Sequence, residues 1–235
     1  AACAGAPPRP MRVLARGTLG YAVVFDRDAL YTIELEESFA LVERDAATGL
    51  ERRRIALGPA ERDLPALAVA DGVAWVGGAD QQVRAIAIAT GEVRATWPIG
   101  AAVAALALMP GGYVAIADAA GAVCLRRAAD GALVQCAVVL DGAVARLERD
   151  GARLIASDDR AAVALTVPTL AVAAAALPAP AVRGHDALVD GAVVARFAGP
   201  ARAVARRPDG AVAAVGWVRD LDDPSVVVVP APPPR

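Results

Sequence analysis

The sequence predicts an all-β fold assembled from a repeated four-stranded unit, and three observations carry that expectation. Turn residues recur with a period of about 40 residues, the length of one small-sheet repeat. The segments between them are short, and the clearest one alternates apolar and polar positions. Glycine and proline punctuate the chain about every 20 residues or closer, which breaks up the helices that its alanine content would otherwise favour.

The turns form two interleaved series. One runs through Asp71-Gly72, Gly111-Gly112, Asp150-Gly151 and Asp190-Gly191, evenly spaced along the chain. The other runs through Thr48-Gly49, Thr90-Gly91, Asp130-Gly131, Thr169-Leu170 and Asp209-Gly210, at nearly the same spacing. Each turn of the first series precedes one of the second by half a period. In the first repeat the early turn falls near Asp28-Ala29-Leu30, without glycine. Asp-Gly and Thr-Gly suit tight hairpins because glycine reaches positive φ without steric cost.

The segments between turns read as strands. In Leu30–Glu36, Tyr31, Ile33 and Leu35 fall on one face and Thr32, Glu34 and Glu36 on the other. Val73–Val76 and Tyr113–Ile116 occupy the same phase of the next two repeats. Leu67–Ala70 and Val103–Leu108 are almost wholly apolar, as strands near a crowded centre should be. Leu50–Leu57 holds Glu51, Arg52, Arg53 and Arg54, which suits an outermost strand whose free edge is guarded by charge. Small sheets of four strands cannot cover both their faces alone. Radial stacking covers them and leaves only short edges. The expected architecture is therefore a small β-propeller of about five four-stranded blades, with six as the alternative count.

Residues 11–230 carry the repeats. Residues 1–10 read as a flexible leader or tether and 231–235 as a proline-rich tail. Ring closure admits two readings. In one, 202–210 is the first strand of the last blade, Ser225–Pro230 is its third, Met11–Gly17 completes it, and 184–199 forms an extra hairpin. In the other, the strict half-period spacing makes Asp190 to Gly210 a fifth unit and leaves two strands over.

The turns resemble those of the WD40 and PQQ-like propeller repeats. Arg207-Pro-Asp-Gly210 is similar to their turn between first and second strands. Asp45–Gly49 and Ala87–Gly91 are similar to their turn between third and fourth strands, and Gly184-His185 to the Gly-His of a WD40 repeat. The Trp-Asp dipeptide of that family is absent.

Composition narrows the function classes. The 235 residues are 57% hydrophobic but only 4% aromatic, so alanine and valine must do most of the packing. All 24 basic residues are arginine, which makes an arginine cluster weaker support for phosphate recognition than usual. The net charge of −2 leaves no basic footprint for nucleic acid. No apolar stretch reaches the roughly 20 residues of a membrane helix.

Ala1-Ala2-Cys3 followed by a Gly/Ala/Pro tract resembles the tail of a bacterial lipoprotein signal, in which the cysteine carries the lipid. The bland alternative is a chance cysteine in a leader, with Met11 as the natural start. Cys124 and Cys136 flank the Asp130-Gly131 turn. A three-residue loop pairing Ala128 with Ala132 would set the two cysteines opposite each other, in range of a disulfide. Two free buried thiols is the alternative.

Catalytic patterns are sparse. His185 is the single histidine, and Ser38, Ser157 and Ser225 are the only serines. None of the serines sits in a Gly-x-Ser-x-Gly elbow. Asp26-Arg27-Asp28, Asp158-Asp159-Arg160 and Asp220–Asp223 read as solvated loops or turns rather than calcium sites. Trp75, Trp97 and Trp217 read as packing residues. Arg52, Arg53 and Arg54 form a candidate interaction patch.

The resulting expectation is a non-enzymatic, protein-binding scaffold with no cofactor and no metal. Its partner is another protein, and its address is the cell envelope, tethered to a membrane through Cys3, or the cytoplasm if Met11 is the start. The competing class is a lactonase-like hydrolase or a carbohydrate-binding propeller. Convergent carboxylates at a central metal would mark the former, and aromatic pockets repeating with the period the latter.

Overall fold

The computed structural model describes residues 12–16, 19–59, 66–158, 161–175, 181–183, 186–189, 192–196, 203–206, 211–218 and 223–229. Among these every regular element is a β-strand. The first sheet holds β2 (Leu19–Asp26), β3 (Ala29–Leu35), β4 (Ser38–Asp45) and β5 (Glu51–Pro59) in sequential antiparallel order. The second holds β6 (Ala66–Ala70), β7 (Val73–Gly77), β8 (Gln82–Ala87) and β9 (Val93–Pro98). The third holds β10 (Val103–Met109), β11 (Tyr113–Asp118), β12 (Ala122–Arg127) and β13 (Leu133–Val138). The fourth holds β14 (Arg146–Asp150), β15 (Arg153–Ser157), β16 (Ala162–Thr166) and β17 (Val172–Ala175). A three-stranded sheet follows, of β18 (Ala181–Arg183), β19 (Asp186–Val189) and β20 (Ala192–Arg196). The last sheet joins the two ends of the chain: β21 (Ala203–Arg206), β22 (Val212–Val218), β23 (Asp223–Val229) and then β1 (Arg12–Arg16). Each sheet is open; none closes on itself into a barrel.

Of the two closure readings, the strand order matches the one in which the N-terminal strand completes the last sheet. Arg12 faces Val228 and Val13 faces Val227. The reading built on strict half-period spacing is corrected. Residue 210 lies between β21 and β22, the first two strands of a sheet, and Asp190 lies between β19 and β20. The reason is that turn spacing reports hairpin length and not which hairpin of a sheet is being counted.

Each strand sends alternate side chains to opposite neighbours. From β7, Ala74 and Val76 join a core with Ile33, Leu41 and Leu57 of the first sheet. Trp75 joins Leu106, Val114 and Ile116 of the third. From β12, Val123 and Leu125 pack with Leu154, Ala156 and Leu165 of the fourth. Val23 and Leu30 of the first sheet pack with Ala213 and Val215 of the last. Sheets covered on both faces explain why β6 and β10 are nearly all apolar. Small side chains keep the layers close. A Cβ on Gly20 would come within 2.7 Å of Val215, and one on Gly77 within 2.8 Å of Val103.

The hairpin between third and fourth strands is the same object in four sheets. An N–H donates across a four-residue loop from Asp45 to Leu50, Ala87 to Glu92, Arg127 to Ala132 and Thr166 to Ala171. The last loop residue donates back to the same strand end and holds positive φ: 76° at Gly49, 75° at Gly91, 71° at Gly131 and 54° at Leu170. A bulge in the outer strand follows each time, at Arg52, Arg94, Val134 and Ala173.

Candidate functional site

Four surface features could carry function, and each follows from this layered arrangement. The first is a rim. One residue past the positive-φ residue of the first sheet stands Leu50, and two residues past it in the next three, where the outer strands begin, stand Val93, Leu133 and Val172. They are exposed at 70%, 49%, 58% and 69%. The repeated hairpin places Val93, Leu133 and Val172 at equivalent points of three successive sheets, a point that Glu51 holds in the first. Isolated exposed aliphatics need no explanation, but recurrence at one structural position marks a surface suited to contact.

The second feature is a charged network centred on β3, β4 and β5. Glu34 is fully buried, and both its oxygens accept from Arg44 Nη2 at 3.0 Å. Thr32 Oγ1 donates to Glu34 Oε1 at 2.5 Å. Arg54 reaches Glu51 at 2.9 Å, Glu36 at 3.2 Å and Glu34 at 3.5 Å. Arg52 pairs with Asp45 at 2.5 Å and Asp28 at 2.9 Å, and Arg53 donates to the Ala89 carbonyl at 2.5 Å. Register explains the convergence: Val42 lies opposite both Thr32 and Arg54, so the polar face of β3 meets the arginines of β5 across β4.

Arg52, Arg53 and Arg54 are therefore placed among carboxylates. Two hydrogen bonds from Thr48, then Arg52, bring Asp45 down to about 2. Hydrogen bonding from Arg52 lowers Asp28, and that from Arg54 lowers Glu51. Desolvation pushes the neighbouring Tyr31 up to about 12.

The third feature is covalent. Cys124 and Cys136 face each other across β12 and β13 and are joined by a disulfide, with Cα atoms 4.1 Å apart. Two deviations from the expected hairpin cancel to give this register. The loop closes at Arg127 and Ala132 rather than at Ala128, and the bulge at Val134 restores the pairing. Cys3, His185 and Asp220 lie outside the described residues.

The fourth feature is a cavity of about 160 Å³. It is lined by Ala22 and Val23 of β2, Ala66 and Leu67 of β6, residues 104–106 in β10, residues 145–148 at β14, and Val204 and Ala205 of β21. Five sheets thus each present their first strand to one space. Arg146 and Glu148 are the charged members of that lining. Among the described residues no group of three or more His, Cys, Asp or Glu side chains is placed to hold a metal ion. Among the same residues no helix is long and apolar enough to cross a membrane.

The rim and the cavity were missed in the sequence. A signal for the rim existed: Val93, Leu133 and Val172 each stand two residues beyond a turn of the second series. The cavity had none, because alanine-rich inner strands look alike whether they line a space or fill one.

No family model matches the chain, and no curated protein matches it. Among solved structures, the crystal structure of the computationally designed Ika4 protein is similar at a TM-score of 0.50. The two share 18% identity, over 63% of this chain and 91% of that one. The likeness is one of fold alone.

Proposed function

We propose that the six sheets are the blades of a β-propeller related in its turns to WD40 and PQQ-like repeats, and that the molecule is a non-enzymatic scaffold holding another protein on its rim. The propeller reading rests on the shared cavity: inner strands from five sheets meet around one space, while neighbouring sheets stack face to face. The scaffold reading rests on one observation above all, the recurrence of exposed Val93, Leu133 and Val172 at equivalent positions. Large aliphatic side chains arrayed on rigid hairpins give a partner apolar anchors at little ordering cost. The rim suits a partner better than the arginines do, because those arginines already have carboxylate partners.

The disulfide supports export to an oxidising compartment, and tethering through Cys3 belongs to the same proposal. Palmitate labelling of the full natural chain should be lost in Cys3→Ser if Cys3 is the anchor.

The scaffold is tested by crosslinking the native protein in its own cells. A specific neighbour is expected for the wild type. It should be lost when Val93, Leu133 and Val172 are changed together to Glu, and retained when exposed Glu92 is changed to Ala. Absence of any stable neighbour, together with measurable turnover on a panel of esters, overturns the proposal in favour of a hydrolase.

A further inference from the structure

The outer strands differ in how their free edges are guarded. β5 carries Glu51, Arg52, Arg53 and Arg54, and β9 carries Arg94 and ends in Pro98. β17 is only 4 residues long and begins with its one large side chain, Val172. β13 runs for 6 residues, Leu-Val-Gln-Cys-Ala-Val, with no charge and no proline. It is the terminal strand of its sheet, so alternate N–H and C=O groups along it point away from β12 with no strand beyond. Leu133, Val134 and Val138 are all exposed, Val138 at 76%. The strand is also held in place, because Cys136 is bonded to Cys124 on β12. A pinned strand offers a preformed template and loses little freedom when another strand joins it.

We infer that β13 is a self-association edge, at which the β13 of a second copy adds antiparallel and continues the sheet about a two-fold axis. A row of unpaired main-chain groups is satisfied along its length only by another extended strand. Charge selects the second copy and sets its direction. At the turn end of β13 stand Arg126 and Arg127 against the single carboxylate of Asp130, which pairs with Arg127 at 3.2 Å. Three residues beyond the other end stands exposed Asp141. Antiparallel pairing brings the net-positive end of each copy beside Asp141 of the other, twice by symmetry. Parallel pairing would set Asp141 against Asp141. A register centred on Cys136 also sets Val134 of each copy against Val138 of the other.

A six-residue edge is smaller than the roughly 800 Å² per partner of a standard interface, so the dimer is a weak one. Sedimentation velocity of the full chain, with the disulfide intact, should show monomer passing to dimer between about 10 µM and 1 mM. Val138→Arg places like charges on the paired edges and should weaken association by at least about tenfold, the effect of roughly 1.4 kcal/mol. Leu50→Arg, at an equally exposed site on another sheet, should associate as the wild type does. Asp141→Arg should weaken the dimer, and Arg127→Asp combined with Asp141→Arg should restore it.

Each outcome decides. A wild type that stays monomeric across that range overturns the proposal, as does Val138→Arg associating like the wild type or Leu50→Arg dissociating as strongly. Circular dichroism checks that every variant is folded. Leu133 belongs both to the rim and to β13, so the two readings are separated by variants that touch only one of them: Val138→Arg lies off the rim, and Val93→Glu with Val172→Glu lies off β13.

Discussion

Glu34 and Arg44 form a buried ion pair, and such a pair stabilises a fold less than its loss destabilises it. Glu34 is fully buried, and both its oxygens are taken by Arg44. Truncation to Ala leaves a guanidinium buried without that partner, so Glu34→Ala is expected to cost about 3–5 kcal/mol in urea unfolding. Replacing the pair together, Glu34→Leu with Arg44→Met, should cost much less. Equal losses for the single and double variants would show that packing, not the stranded charge, sets the cost. Around it lie carboxylates whose behaviour in acid can be signed. Asp45 is held at about 2 in the fold, below its ordinary 3.8, and Asp28 and Glu51 are also lowered. A depressed carboxyl contributes stability above its unfolded value and loses it as pH falls through the folded one. The melting temperature should therefore be flat above about pH 5 and fall between about pH 4 and 2. Asp45→Asn should melt lower at neutral pH and show a shallower acid fall; a parallel curve would remove Asp45 from the account. Alternation in 30–36 disclosed that Thr32 and Glu34 share a face. It could not disclose that this face is buried, because that depends on arginines one and two strands away, Arg44 and Arg54.

Hairpins are where sequence and structure agree most closely. Gly49, Gly91, Gly131 and Leu170 were legible as one series because a positive-φ position repeats, and glycine is its usual occupant. Leu170 breaks the rule at a φ of 54° and is buried in the core between the third and fourth sheets. Burying a leucine is worth about 2 kcal/mol, enough to offset the roughly 1–2 kcal/mol of a left-handed backbone. The bulges were not legible, since an extra residue in an outer strand leaves no mark on composition. Glycines of the series should differ in what they tolerate. Gly91→Ala meets only Ile55, at 3.3 Å, and should cost about 1–2 kcal/mol for its backbone. At Gly131 an added Cβ would lie 2.6 Å from Trp97 Cδ1 and 2.7 Å from Cε2. The indole is buried, so it cannot give way freely, and overpacking adds about 1–3 kcal/mol. Denaturant unfolding of the two variants should rank Gly131→Ala as clearly the worse. Equal losses would mean that the tryptophan moves aside.

At the scale of the molecule, the question is what holds the two ends of the chain. The recurring turns made the four regular sheets readable. They were silent on the last sheet, because β1 lies outside the repeat and its partner lies across nearly the whole chain. Two arrangements fitted the same turns, and only strand pairing separates them. That pairing has an energetic consequence. With β1 laid on β23, the N-terminal segment is held by a sheet built from the other end of the chain, and local opening at either terminus must first break that pairing. Without β1, the edge of β23 is bare along Val226, Val227, Val228 and Val229, an uncharged run of β-branched residues of the kind that pairs with other chains. A chain lacking residues 1–11 should melt like the full chain, since β1 is intact. A chain lacking residues 1–16 should melt about 5–10 °C lower, the shift expected for a few kcal/mol in a domain this size. It should also aggregate on refolding. The two deletions differ by only the five residues of β1, so equal melting temperatures would show that the end-to-end pairing contributes nothing to stability.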